Sequence, residues 1–422
     1  MKTIAVVGGG WAGIAAAVQA ADDGHRVTLC EMAPHLGGRA RSLTTGEIRL
    51  DNGQHILIGA YTETLALMGR LGVEPEQVLL RMPLALRYPD GSGLALPGGP
   101  PLLSFLRGVA WRAGWSWRER LALLREAASW AATGFRCDPA RTVADLCARL
   151  PRPVQQELIE PLCVAALNTP AAQASASVFL RVLHDALFSG AGSADLLLPR
   201  RGLDALLPVP ALRWLALNQI ALRLGRRATE LRPEGAGWRL DGEPFDAIVL
   251  ACSAAEAARL AAPIAPDWST QAAALDYEPI ITLYLRCPGA RLPLPMMALR
   301  EGPDAPAQFV FDLGAIGGAA GVFALVVSGA RDWVRAGLDA TGRAALAQVV
   351  AAFPAGTWPT APTLLRVLAE KRATFRCTPG LRRPPAAIAP GMAAAGDYIQ
   401  GPYPATLEGA VRSGRQAADL LG

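Results

Sequence analysis

The sequence predicts an α/β fold in which a domain built on parallel βαβ units is interleaved with a second, α+β domain. Three observations carry this. An apolar strand at Ile4 to Val7 runs into a glycine turn, a helix and a second strand within the first 30 residues. After a strand-rich excursion the chain returns near residue 250 to a run that reads as a buried parallel strand. The remaining stretches differ in character, helical periodicity dominating one and alternating strands the other. At 422 residues the chain also exceeds what one hydrophobic core organises. The first domain is expected to be discontinuous, over 1–75, 195–262 and 370–422, with the second over 76–194 and 263–369.

The first helix is expected over about Ala12 to Asp23, with Gly24 as a left-handed C-cap ahead of the strand Arg26 to Cys30. Downstream, Arg226 to Leu231, the turn Glu234 to Gly237, Trp238 to Leu240 and Phe245 to Leu250 read as a three-stranded excursion ending on the buried strand. In the second domain Arg118 to Ala132 and Val154 to Leu167 carry helical periodicity, and Ile280 to Leu285 and Gly321 to Ser328 read as strands.

Composition excludes several classes. No apolar run reaches the roughly 20 residues of a membrane-spanning helix, although 51% of the residues are hydrophobic. The N-terminus passes straight into a strand without the features of a secretory signal, so a cytoplasmic protein is expected. The seven cysteines (30, 137, 147, 163, 252, 287 and 377) lack metal-ligand or redox spacing and read as buried free thiols. The net charge of +5 comes almost wholly from arginine, Lys2 and Lys371 being the only lysines. With no basic, aromatic-bearing nucleic-acid motif, nucleic acid is not an expected partner.

Gly8-Gly9-Gly10-Trp11-Ala12-Gly13 matches G-x-G-x-x-G at Gly8, Gly10 and Gly13, directly between strand and helix. Glycine there permits a tight turn, close approach of backbone to a pyrophosphate and close packing of helix on strand. The helix N-terminus, from Trp11 and Ala12, offers free N–H groups to phosphates. Glu31 closes the second strand at the distance at which an acid accepts hydrogen bonds from an adenosine ribose. The motif is therefore a Rossmann-like dinucleotide site.

The next residues resemble the extended FAD fingerprint of the amine oxidase and phytoene desaturase superfamily. Met32 follows Glu31, and a second glycine pair, Gly37-Gly38, precedes Arg39 and Arg41. The resemblance resumes at Gly396-Asp397-Tyr398 and continues from Pro404 to Gly414. It implies FAD in a glutathione-reductase-like domain of amine oxidase type. In that domain Arg39 brings a cation to the pyrophosphate, Asp397 holds the ribityl and phosphate region, and Ala228 contacts adenine through its backbone. The helix that opens at Thr406 and Leu407 starts beneath the flavin, where its N-terminus stabilises negative charge on the reduced ring. Gln54 and His55 fall where the superfamily chain passes the isoalloxazine; His55 reads either as a site residue or as a hydrogen-bonded structural histidine.

Amine oxidases carry a lysine in the flavin-side strand and an aromatic residue just before the Glu-Gly-Ala helix. Here the strand Glu278 to Leu285 has no lysine, and Thr406 replaces the aromatic. The chain instead resembles the squalene-associated FAD-dependent desaturases, now understood as hydroxysqualene dehydroxylases. It does so over essentially its whole length, most specifically at Ala165 to Pro170 with Ala174 to Ala176, at Ser193 to Arg200 and at Glu370 to Phe375.

That resemblance implies reductive removal of an allylic hydroxyl from a long-chain isoprenoid, to give squalene on the route to hopanoids. Protonation of the hydroxyl lets water depart, and reduced flavin N5 delivers a hydride to the delocalised cation. A proton donor and a dry apolar tunnel are needed. The candidate acids are His55, Asp195 and Tyr403, each with a bland alternative as core hydrogen-bond partner, cap or packing residue. NAD(P)H or a separate reductase is the expected electron donor.

Residues 102–133 interleave Leu102, Leu103, Leu106, Trp111, Trp115, Trp117 and Trp130 with arginines. That composition suits a headgroup boundary, so peripheral attachment to the inner face of the cytoplasmic membrane is expected. The alternative is a helix pair packing its tryptophans inward. A carotenoid or phytoene-type desaturase is the competing enzyme, and a non-catalytic flavoprotein the competing class.

Overall fold

The computed structural model describes residues 1–422. Strand β1 (Thr3–Val7), helix α1 (Trp11–Asp22) and strand β2 (Arg26–Cys30) form the expected βαβ unit. β3 (Ala221–Arg223) pairs in parallel with β2, and β4 (Ala247–Leu250) with β1. The strands Met392–Ala394 and Ala387–Ala389 complete the six-stranded sheet beyond β4, only the last of them antiparallel. β4 is buried at every position and β1 at all but its first, as uninterrupted Ile, Ala, Val and Leu require of strands covered on both faces.

α1 starts one residue earlier than expected, at Trp11, with Gly10 as its N-cap and no side-chain cap. Gly24 has the left-handed φ of +82° that lets the chain turn back into β2. At Gly13 a Cβ would lie 1.8 Å from the Gly8 carbonyl oxygen, so helix and glycine turn approach more closely than any other residue allows.

The excursion after β3 differs from the reading of the sequence. Its three antiparallel strands are Leu231–Glu234, Gly237–Leu240 and Glu243–Phe245, and β4 is separate. Residues 226–230 form no strand, because the amides of Thr229 and Glu230 both donate to the Asp241 carboxylate at 2.8 Å instead of to a neighbouring backbone.

The second domain sets helices α2 (Pro101–Ala110), α3 (Trp117–Ala132) and α4 (Ala176–Phe188) beside an antiparallel sheet. That sheet runs in the order Met296–Ala298, Phe309–Asp312, Val322–Val327, β5 (Tyr277–Arg286), β6 (Thr363–Phe375). α3 is opened by a capping box in which Ser116 and Glu119 satisfy each other's backbone amides. The expected helix 154–167 is a continuous run from Arg152 with a π turn at Gln155–Ile159. Pro161, four residues after Glu157, has no N–H to give the Glu157 carbonyl, which accounts for the widened turn just before it.

Two of the expected domain boundaries fall within paired structure. β6 stays hydrogen-bonded to β5 as far as Phe375, so the division at 369/370 lies inside one strand. Leu196–Pro199 pairs with both Leu57–Ile58 and Leu79–Met82, so a small sheet stitches the chain together across 75/76. No helix is long and apolar enough to cross a membrane.

The chain ends on α5 (Leu407–Asp419), which lies against α1. Gly414 makes this possible: a Cβ there would sit 2.2 Å from the Ala12 carbonyl oxygen.

Candidate functional site

A cavity of about 860 Å³ is walled by residues of both domains. At one end lie Gly8, Gly10, Trp11, Ala12, Glu31, Met32, Gly37, Gly38, Arg39, Ala228, Gly396, Asp397, Thr406 and Leu407, with Gln54 and His55 beside them. Of the residues expected to hold the cofactor only Gly13 and Arg41 stand outside this wall. Gly13 is the packing glycine already described, and Arg41 turns back to donate to the Gly38 carbonyl at 2.8 Å. The other end is apolar, with Leu102, Leu106, Leu123, Phe135, Phe179, Leu183 and Phe188 among its walls.

The dinucleotide end is preorganised by Glu31. Its buried carboxylate accepts from the Gly9 amide at 2.6 Å and the Ala33 amide at 2.7 Å, latching the glycine turn to the end of β2. Each oxygen keeps a further lone pair toward the cavity. A Cβ at Gly10 would meet nothing within 4 Å, whereas one at Gly38 would reach the Gly10 Cα at 3.3 Å. The two glycine turns therefore face each other across a slot open at Gly10, and the uncapped amides of α1 point into it. Arg39 supplies a cation, held by Asp397 at 2.7 Å and by the Ala373 carbonyl at 2.5 Å. This donor set fits the pyrophosphate and ribose of a dinucleotide.

Further along, Thr406 caps α5 by accepting from the Gly409 amide at 3.0 Å. Leu407 and Ala410 carry that helix end along the cavity wall. Glu408, one residue on, is buried, borders the cavity as well, and accepts from the amides of Glu63 and Thr64, the Thr64 hydroxyl and Arg412. Those bonds fix the first turn of the helix.

The three candidate acids have different fates. Asp195 does not line the main cavity; it is ion-paired to Arg81 at 3.0 Å beside the Gly192 turn. His55 lies on the wall, and its Nδ1 is 2.9 Å from the Gly53 carbonyl. A carbonyl only accepts, so Nδ1 carries the hydrogen. Burial first, and then the nearby Arg39 cation, pushes the imidazole below its ordinary 6.5, leaving it neutral with a bare Nε2. A histidine in that tautomer accepts and does not donate into the cavity. Tyr403 also lines the wall, and its oxygen accepts from Arg181 at 3.2 Å.

Several residues of the wall were given no site role by the sequence reading. Asn168 adopts a left-handed φ of +47° at the end of its helix. Its amide donates to the Glu278 carbonyl at 3.2 Å and the Thr374 hydroxyl at 2.9 Å, and its side-chain oxygen accepts from the Gly329 amide at 2.7 Å. One buried side chain thus ties a helix end to β5, β6 and a turn. Tyr61, Tyr277 and Asp185 also line the cavity. Nothing local in the sequence marks them, since each arrives from a different element.

The tryptophans of 102–133 divide. Trp115 and Trp130 are buried, whereas Trp111 and Trp117 are each 76% exposed, along with Leu102, Leu103, Leu106 and Leu121. Glu157 holds the inward side, accepting from the Trp115 indole at 3.0 Å and pairing with the buried Arg112.

Comparison with known proteins agrees with this geometry. The model of the family described as flavin containing amine oxidoreductase matches residues 11–421. The hydroxysqualene dehydroxylase of Rhodopseudomonas palustris is 28% identical, with 100% of this chain and 98% of that one aligned. The protein of the same name from Sinorhizobium fredii is 24% identical over 99% and 98% of the two chains. Among solved structures, an oxidoreductase from Methanosarcina mazei superposes with a TM-score of 0.75 at 15% identity, covering 99% of this chain and 100% of that one. That likeness shows a shared fold.

Proposed function

The chain belongs to the family of flavin-containing amine oxidoreductases and is an FAD-dependent oxidoreductase, and from that premise we propose that it removes the hydroxyl of hydroxysqualene reductively to form squalene in hopanoid biosynthesis. The observation that carries the reading is an apolar chamber continuous with the dinucleotide end of the cavity, joined to full-length similarity to the hydroxysqualene dehydroxylases. The absence of a lysine in β5 and of an aromatic residue at Thr406 speaks against amine oxidation.

The α1 amides and Arg39 hold the pyrophosphate, Glu31 the adenosine ribose and Asp397 the ribityl region. Reduced FAD, when bound, supplies the hydride. The apolar walls keep water from a cationic substrate, which water would otherwise capture. Tyr403 donates the proton that lets the allylic hydroxyl leave as water, being the candidate acid that both lines the cavity and keeps its proton free. Electrons arrive from NAD(P)H or a partner reductase.

A thirty-carbon isoprenoid is drawn from a membrane, and we place the contact on α2 and α3, at the inner face of the cytoplasmic membrane. Leu102 and Leu106 are exposed and also line the cavity, and Trp111, Trp117 and the exposed Arg107, Arg118 and Arg125 surround them. This pattern suits the boundary between anionic headgroups and acyl chains.

The test is anaerobic, with chemical reduction standing in for the donor. Reduced protein mixed with hydroxysqualene in detergent is expected to recover oxidised-flavin absorbance while squalene appears by mass. A flavin that stays reduced, with the oxidised protein instead turning a colourless polyene yellow, would move the chain to the desaturases.

A further inference from the structure

We propose that Arg181, anchored by Asp185, is a positioning residue that aims the Tyr403 hydroxyl into the cavity and holds the phenolate left when its proton is given up. The inference rests on the dehydroxylase reading for the identity of the proton's acceptor, but the relation between the two side chains does not.

Arg181 and Asp185 stand one turn apart on α4. The Arg181 Nε donates to one Asp185 oxygen at 3.0 Å, and the His184 Nδ1 donates to the other at 3.0 Å. The carboxylate is thus satisfied on both sides, and it fixes the guanidinium plane. The free end of that plane reaches across to α5's approach, where Nη2 donates to the Tyr403 oxygen at 3.2 Å.

A phenol has one hydrogen to donate and lone pairs to accept with, whereas a guanidinium only donates. The bond from Arg181 therefore takes up a lone pair and cannot take the phenol hydrogen. Arg181 is the only hydrogen-bond partner that the protein offers this oxygen, so the hydrogen is left for whatever lies in the cavity. Charge supports the same step. The guanidinium carbons of Arg181 and Arg412 lie 5.2 and 5.4 Å from the Tyr403 ring centroid, with Asp185 the nearby anion and Glu408 already paired to Arg412. Burial and Asp185 raise the phenol, whereas Arg412 and Arg181 pull it back down.

In the step itself the phenol O–H bond breaks and its proton bonds the substrate oxygen. The allylic C–O bond then breaks with its electron pair on departing water, and the carbon accepts the hydride named above. The phenolate, only half-buried, takes a proton back from solvent.

The chain has six tyrosines, which makes the relation measurable. Burial pushes Tyr88 and Tyr277 up to about 12, and Tyr61, Tyr284 and Tyr398 higher still, and it raises Tyr403 too, there against the opposing charges of Arg412 and Arg181. Tyrosinate absorbance of the FAD-loaded protein minus that of Tyr403→Phe isolates its titration. Arg181→Gln is expected to move that titration up by roughly one pH unit, and Arg181→Lys to restore part of it.

In hydroxysqualene turnover Arg181→Gln should lower kcat about tenfold or more in the wild-type background and have no further effect on Tyr403→Phe. An unmoved tyrosinate titration, or an equal loss in both backgrounds, would overturn the proposal. If the wild-type protein makes no squalene, the dehydroxylase reading falls, and the titration still decides whether Arg181 governs Tyr403.

Discussion

Arg39 and Asp397, 358 positions apart in the chain, are joined by 2.7 Å hydrogen bonds from one guanidinium nitrogen to both carboxylate oxygens. The pair closes the dinucleotide slot, because one residue follows the second glycine turn and the other follows the last strand of the sheet. Arg39 is still 41% exposed, and that exposed surface faces the cavity. Charge-assisted bonds of this kind are the strong ones. Arg39→Ala is expected to weaken FAD retention tenfold or more, read as the 450 to 280 nm absorbance ratio after dialysis. An unchanged ratio would remove Arg39 from the cofactor's grip.

The glycines of the first turn separate folding from binding. Gly10 has an ordinary φ of −73° and open space where a Cβ would go, so Gly10→Ala should fold with an unchanged melting temperature as apoprotein while losing FAD. Gly13→Ala drives a methyl into the Gly8 carbonyl, and Gly414→Ala drives one into that of Ala12. Both should destabilise the apoprotein itself by several kcal/mol, as overpacking against rigid backbone does. Equal melting temperatures for all three would refute the assignment.

Asp51 sets a pH dependence. Burial raises its carboxyl from 3.8 to about 6, against the opposing bonds from the Ser42 hydroxyl and the Leu203 amide. Because the folded state holds this proton more tightly than the unfolded one, its contribution to stability is full below pH 3.8 and is lost as pH rises through 6. Asp51→Asn removes that loss. Its melting temperature relative to wild type should climb between about pH 4 and pH 6 and level off above, the whole effect being at most roughly 3 kcal/mol. A difference that stays flat across that window would show that Asp51 is not held neutral.

The outward tryptophans predict lipid dependence. Trp111→Ser with Trp117→Ser should cut co-sedimentation with vesicles rich in anionic lipid several-fold while leaving the melting temperature within about 1 °C, since both side chains are largely exposed. Substituting the buried Trp115 should do the reverse, costing stability because the Glu157 carboxylate loses its indole partner. Vesicle binding indifferent to both exposed tryptophans would take the membrane contact off α2 and α3.

The cofactor end was legible because its constraints are local. Gly8 to Gly13 lie within one βαβ unit, and Glu31 and Gly37 to Arg39 follow directly on its second strand, so that steric demand on the backbone dictates residue type at short, fixed spacing. Motifs of that kind survive in a linear reading. The apolar end was legible only as composition, and the proton donor only as a choice among three residues. His55, Asp195 and Tyr403 were equivalent polar residues until the Gly53 carbonyl fixed a tautomer, Arg81 claimed a carboxylate and Arg181 took a lone pair.

By itself, then, the sequence determined the parallel sheet and the dinucleotide turn, because glycine sterics and buried-strand hydrophobicity act between near neighbours, and its resemblance to the superfamily implied the extended FAD fingerprint and the flavin-side helix. The tertiary structure alone decided which tryptophans face outward, where β6 ends, and which of the candidate acids line the cavity. Those outcomes depend on partners brought together from distant parts of the chain, and a side chain's protonation and exposure are properties of its neighbours in space.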